Sequence, residues 1–222
     1  PNGVVEKGDI VYLGNGRIAL KKIDIPKFTN FTNVEIKISL VSNGDPWDKS
    51  GSCFVIPAES GINMIDIAAD RHVYPQQDTT LYEHFKGIVR GENYNPTVEL
   101  MRFMTPFGVG HFSADDDSTS AKRRPVYVDG WAKEVVWTQD ITDLLSLLES
   151  DAYVGIFIDT WTPEGYIVDL ELKFTESALA CDLRPEVHVE PLINTNYYIG
   201  QSHPDIFSRR DVEIAFNIPE NA

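Results

Sequence analysis

The chain has 222 residues, enough to bury a core in one large domain or two small ones. A hydrophobic fraction of 42% and an aromatic fraction of 11% argue against disorder, and no run nears the roughly 20 apolar residues of a membrane helix. A formal net charge of -15 repels phosphate backbones, which sets nucleic acid aside as a partner.

Apolar and polar residues alternate with a period of two along much of the chain, the pattern of half-buried strands. Ile10 to Leu13 and Arg17 to Ile23 read as two strands, and Gly14-Asn15-Gly16 between them reads as a hairpin turn. Val34 to Leu40 alternates almost without fault, so one of its faces is wet. Cys53 to Ile56 and Val98 to Phe103 are further strands. Tyr153 to Ile158 is apolar on both faces, and Ile167 to Phe174 alternates again. Val187 to Val189 and Val212 to Phe216 complete the series.

One helix stands out. Ile141, Leu144, Leu145 and Leu148 share a face, and Asp140 precedes them as an N-cap. Many short strands with one short helix imply an all-β fold, a β-sandwich or jelly roll rather than a parallel α/β fold. Two stretches break the pattern. Ala58 to Pro96 is rich in Asp, Gln, Asn and Pro, with a short helix expected near Leu81 to Phe85. Ser113 to Pro125 carries Asp115-Asp116-Asp117 and Lys122-Arg123-Arg124, a solvated charge run rather than a cation site.

Cys53 and Cys181 are either one disulfide or two buried thiols, and sequence leaves both open. The histidines, His72, His84, His111, His188 and His203, lack ligand spacing, so no metal is expected. Gly108-Val109-Gly110 lacks the strand–helix setting of a phosphate loop. Asn30-Phe31-Thr32 is a glycosylation sequon, relevant only in a eukaryotic source.

Two segments could carry chemistry. Asp45-Pro46-Trp47-Asp48-Lys49 follows one strand and precedes another, and two acids flank its Trp. Acid–base work needs a carboxylate tuned by its neighbours, and a Trp can stack on a sugar face. By local pattern alone an ordinary turn is the better reading, because Asp, Pro and Gly are turn residues. In Phe157-Ile158-Asp159-Thr160-Trp161 an apolar strand runs straight into an acid and a Trp. That acid is either functional or simply leaving the core to cap a turn.

Taken in order, four stretches resemble the peptide-N-glycosidase F family over about two-thirds of the chain. Val34 to Leu40 leading into Asp45-Pro46-Trp47-Asp48 resembles the family's strand and Asp-x-Trp-Asp loop. Met101 to Gly110 resembles its Arg-Phe-Ile-Thr-Pro-Tyr-Trp-Val-Gly segment. Asp140 to Leu148 resembles its Asp-Val-Thr-Asp-Phe-Lys-Ser-Leu-Leu helix. Ile156 to Trp161, with Tyr166 to Phe174, resembles its Thr-Glu-Thr-Trp motif and the strand that follows.

The resemblance implies two eight-stranded antiparallel jelly-roll β-sandwiches with the active site in the cleft between them. Residues 1–180 would form the first, and residues 181–222 only the first strands of the second. So few strands cannot complete a jelly roll, so the chain is expected to be a fragment, its remainder a separate chain or a missing portion. The resemblance further implies hydrolysis of the N-acetylglucosamine–asparagine amide of an N-glycosylated peptide or protein, without a cofactor. The family's catalytic aspartate falls on Asp48, and a second active-site acid, glutamate in the family, falls on Asp159. Trp47, Lys49 and Trp161 match substrate-facing positions, with Lys49 replacing an arginine. The shorter Asp159 must then meet Lys49 differently from a glutamate facing an arginine. The family's disulfide before the catalytic loop is absent, and Ala58 to Pro96 is an insertion. A secreted or periplasmic, bacterial protein is expected. Pro1 opens directly into polar sequence, so an exported protein would be seen here in its mature or cloned form. The competing reading is a non-catalytic jelly-roll module that binds glycan through Trp47 and Trp161, or that meets a partner through the insertion.

Overall fold

The computed structural model describes residues 3–180 except 26, 29, 46, 59–60, 74–89, 92, 95, 108–131 and 149, together with 187, 189, 190, 192, 215, 216 and 218. The helix expected at Leu81 to Phe85, the charge run after Ser113, Cys181, and His188 and Val212 to Ile214 of the last two expected strands lie outside these residues, while Val187, Val189, Ala215 and Phe216 are described and lie in no strand.

Nine strands form two antiparallel sheets among the described residues. In chain order they are β1 (Val5–Lys7), β2 (Ile10–Leu13), β3 (Ile18–Lys22), β4 (Asn30–Ser42), β5 (Ser50–Ile56), β6 (Val98–Met104), β7 (Glu134–Asp140), β8 (Tyr153–Ile158) and β9 (Tyr166–Ala180). One sheet runs β1-β2-β3-β8-β5-β6 and the other β7-β4-β9. The expected all-β antiparallel sandwich is therefore observed, with nine strands where eight were expected. The small sheet centres on β4, which pairs with β9 on one side and β7 on the other.

The alternation in β4 explains its burial. Val34, Ile36, Ile38 and Leu40 are almost fully covered, and each contributes about 2 kcal/mol of burial free energy. They meet Cys53 and Val55 of β5 and Val154, Ile156 and Ile158 of β8. Successive side chains of a strand point to opposite faces. Phe54, Ile56 and Phe157 accordingly turn to the other face of the large sheet, where Leu13, Ile18 and Leu20 join them. A short helix, α1 (Met64–Ala68), covers that second cluster with Met64 and Ile65. β5 and β8 are thus buried on both faces, as the unbroken apolar run of β8 implies. Gly155 is required here, because an added Cβ would come within 2.4 Å of Leu20 Cδ2 and 2.7 Å of Phe54 Cζ.

Local differences from the expectations have local causes. The Gly14-Asn15-Gly16 hairpin is present as a 3-10 turn, with Leu13 opposite Ile18. All three residues have positive φ, which glycine and asparagine tolerate. The segment after Asp140 is a 3-10 helix, Thr142–Leu147, rather than an α-helix. It is pinned to β4, which favours the tighter winding: Ile141 N donates to Val34 O at 2.9 Å, and Thr142 Oγ1 accepts from Val34 N at 3.0 Å. Asp140 Oδ1 accepts from Thr142 N at 2.9 Å and also from its hydroxyl. The helix α1 lies inside the Ala58 to Pro96 segment, upstream of the helix expected there near Leu81 to Phe85. Asn63 Oδ1 accepts from the Ile65 and Asp66 N–H groups, and Asp66 Oδ2 accepts from Asn63 N, a complete capping box. Ile62 N donates to Asn93 O at 2.9 Å and ties the two ends of that segment together.

Cys53 is a free thiol with no exposed surface, and burial pushes it well above the ordinary thiol range. No helix among the described residues is long and apolar enough to cross a membrane.

Candidate active site

The strand directions bring four connections to one end of the sandwich. These are Gly14 to Arg17, residues 43–49 between β4 and β5, Thr105 to Phe107 after β6, and Asp159 to Gly165 between β8 and β9. β5 and β8 are neighbours with Gly51 opposite Ile158, and Asp159 N donates to Ser50 O at 3.0 Å. The two acid-and-Trp segments, far apart in sequence, therefore emerge side by side.

The two acids of the 43–49 loop do different work. Asp45 is fully buried. Its Oδ1 accepts from Trp47 N at 3.1 Å, and its Oδ2 accepts from the Thr160 hydroxyl at 2.7 Å. Its backbone carbonyl accepts from the Ser42 hydroxyl at 2.9 Å. These hydrogen bonds offset the cost of burying a carboxylate and fasten one loop to the other. The loop exit is fastened too. Lys49 N donates to Thr105 Oγ1 at 2.7 Å, Thr105 N donates to Lys49 O at 2.8 Å, and the Tyr166 hydroxyl donates to Trp47 O at 2.9 Å. Phe107 stacks on Tyr166 with ring centroids 5.9 Å apart. Asp48 stands on this braced backbone as an exposed carboxylate, between exposed Trp47 and half-exposed Lys49.

Asp159 is half-exposed at the end of β8. It forms an ion pair with Arg17, Nη1 to Oδ1 at 3.7 Å, and among the described residues none with Lys49, the contact the resemblance led us to expect. The Arg17 guanidinium also lies over the Trp161 ring, 4.4 Å from its centroid, and Arg17 Nε donates to Gly14 O at 3.0 Å. Trp161 remains 71% exposed and Trp47 36% exposed. Arg17, Thr160, Trp161 and Glu164 help line a groove of about 1370 Å³, together with Ile156 and Leu170. Among the described residues no cluster of three His, Cys, Asp or Glu side chains could hold a metal.

All five sequence-nominated residues, Trp47, Asp48, Lys49, Asp159 and Trp161, thus lie on the same two adjoining connections. Sequence pattern passed over Arg17, Thr160 and Tyr166. The Gly-Asn-Gly turn before Arg17 signals only a change of direction, and nothing local links it to Trp161.

Fold and site together define an antiparallel sandwich with an acid- and tryptophan-bearing end. The family model described as peptide-N-glycosidase F, N terminal, matches residues 2–174, and the chain belongs to this family. Two solved structures of PNGF-II, in different crystal forms, are similar to it. One has a TM-score of 0.60 and 30% identity over 76% of this chain and 30% of that chain. The other has a TM-score of 0.65 and 27% identity over 93% of this chain and 35% of that chain. The chain therefore spans about a third of the length of these structures. A comparison with curated proteins gave no match.

Proposed function

We propose that the chain supplies one wall of the active site of an enzyme that hydrolyses the amide between N-acetylglucosamine and asparagine in N-glycoproteins. The observation that carries this reading is the division of labour in the 43–49 loop. Buried Asp45 braces it and Asp48 is left exposed beside Trp47, in a chain of the peptide-N-glycosidase F family.

In this reading Asp48 accepts a proton from a water as the water oxygen attacks the asparagine side-chain carbonyl carbon. The carbon–nitrogen bond then breaks, and the leaving nitrogen takes a proton to become the 1-amino glycan. The peptide keeps an aspartate. Asp159 orients the water or the sugar, Lys49 supplies positive charge beside Asp48, and Trp47 and Trp161 offer apolar faces to the sugar rings. Residues 1–180 act as the first domain, residues 181–222 begin a second, and the remaining wall comes from that second domain.

The test is glycan release from a denatured N-glycoprotein by the full-length protein, followed as a mobility shift on a gel. Wild type is expected to shift the band, and Asp48→Asn to leave it in place. Full activity in Asp48→Asn would defeat the assignment. Binding of a glycopeptide by the wild type without turnover would favour the glycan-binding module instead.

A further inference from the structure

The second acid of the candidate site takes its cation from an unexpected direction. Lys49, adjacent to Asp48 in sequence, shows no ion pair with Asp159 among the described residues. Arg17, at the start of β3, does. Its position is built rather than incidental. The left-handed Gly14-Asn15-Gly16 turn delivers it, Nε is held by Gly14 O at 3.0 Å, and Ile158 N donates to Arg17 O at 3.0 Å. That last bond ties the Arg17 backbone to the residue just before Asp159. The Arg17 and Asp159 side chains are equally shielded, each 27% exposed.

We propose that Arg17 is a positioning residue of the site, holding Asp159 with its charge and Trp161 with its plane. This rests on the amidase reading above. A guanidinium is flat, permanently charged and able to stack, so a single side chain can serve both neighbours. Its cover on one face of the Trp161 indole leaves the opposite face as the platform for a sugar ring. Trp161 is then presented in one orientation despite its 71% exposure. Arg17, Thr160 and Trp161 line the same groove, and the Arg17–Asp159 ion pair sets the acid beside that lining. The cation that serves the second acid has in effect moved from the 43–49 loop to the β2–β3 turn.

The experiment compares full-length wild type with Arg17→Met, Arg17→Lys, Asp159→Asn and the Arg17→Met/Asp159→Asn double variant. Each is assayed for glycopeptide turnover and for affinity toward N,N′-diacetylchitobiose. Arg17→Met is expected to lower kcat/KM about 30-fold with an unchanged melting temperature. Arg17→Lys keeps the charge but not the plane, so it should restore kcat while leaving KM raised. The double variant should be no worse than the poorer single variant, because residues acting as a unit are not additive. Full multiplication of the two losses, or an Arg17→Met enzyme within twofold of wild type, overturns the proposal. If wild type releases no glycan, the amidase reading fails, and chitobiose affinity then decides this one. A fivefold loss in Arg17→Met supports it, and unchanged affinity overturns it.

Discussion

The two ends of the sandwich use the same kinds of residue to different effect. At the end away from the candidate site, Asp140 and Thr142 fold a 3-10 turn onto β4, and Ile141, Leu147 and Leu148 seal the core behind it. Ser150 likewise gives its hydroxyl to Ile25 O at 2.9 Å. Each of these polar groups serves the chain's own backbone. At the opposite end Asp45 does the same service through Thr160 and Trp47, and Asp48, Trp47 and Trp161 remain turned to solvent. The lesson is that a loop can present a carboxylate in a fixed place only when a different residue closes the loop.

The contrast is broken most forcefully at Asp48. Asp48→Asn is expected to lower glycan release by at least about a hundredfold and leave the urea midpoint unchanged. A variant that keeps activity and loses stability would reverse the two roles. Asp45→Ala is expected to cost about 3 kcal/mol, because the Thr160 hydroxyl and Trp47 N–H lose a buried acceptor. Urea denaturation measures it, and a variant as stable as wild type would remove the brace from the account. Gly155→Ala, between the two ends, is expected to cost about 2 kcal/mol through overpacking against Leu20 and Phe54. Thr142→Val should cost about 1 kcal/mol at the far end, with kcat/KM untouched. A fall in kcat/KM there would show the two ends to be coupled.

The smallest effect concerns the core that joins them. The Cys53 thiol is raised in the fold because burial disfavours its thiolate. The sign follows from linkage. A raised value means that the contribution is full below the ordinary thiol range and is lost as pH climbs through and beyond it. Urea midpoints of wild type and Cys53→Ala should therefore diverge in slope only above about pH 8.5. Parallel slopes would contradict the burial.

Much of the fold was legible because β3, β4 and β9 carry their burial in a period-two pattern and β8 is an unbroken apolar run. β1 was not, since all three of its residues are exposed and leave no alternation to see. β7 was available in Val135 and Trp137, which pack against the core, but the polar residues around them masked it. α1 lacks the length for a helical period, although Asn63 and Asp66 carry its cap signature. In the site, Asp48 and Asp159 were readable through motif order. Asp45's brace and Arg17's placement were not, because both depend on the register that sets Gly51 opposite Ile158. Register is a property of two strands at once.

That register also fixes a timescale. β5 and β8 lie in the middle of the large sheet with apolar cover on both faces, so their amides should exchange with solvent deuterium only when the whole domain opens. Asp159 follows the last residue of β8 directly, and Asp48 precedes Ser50 of β5 by two positions. The two acids are therefore rooted in the slowest-opening part of the molecule, and their spacing should persist through every local fluctuation short of unfolding.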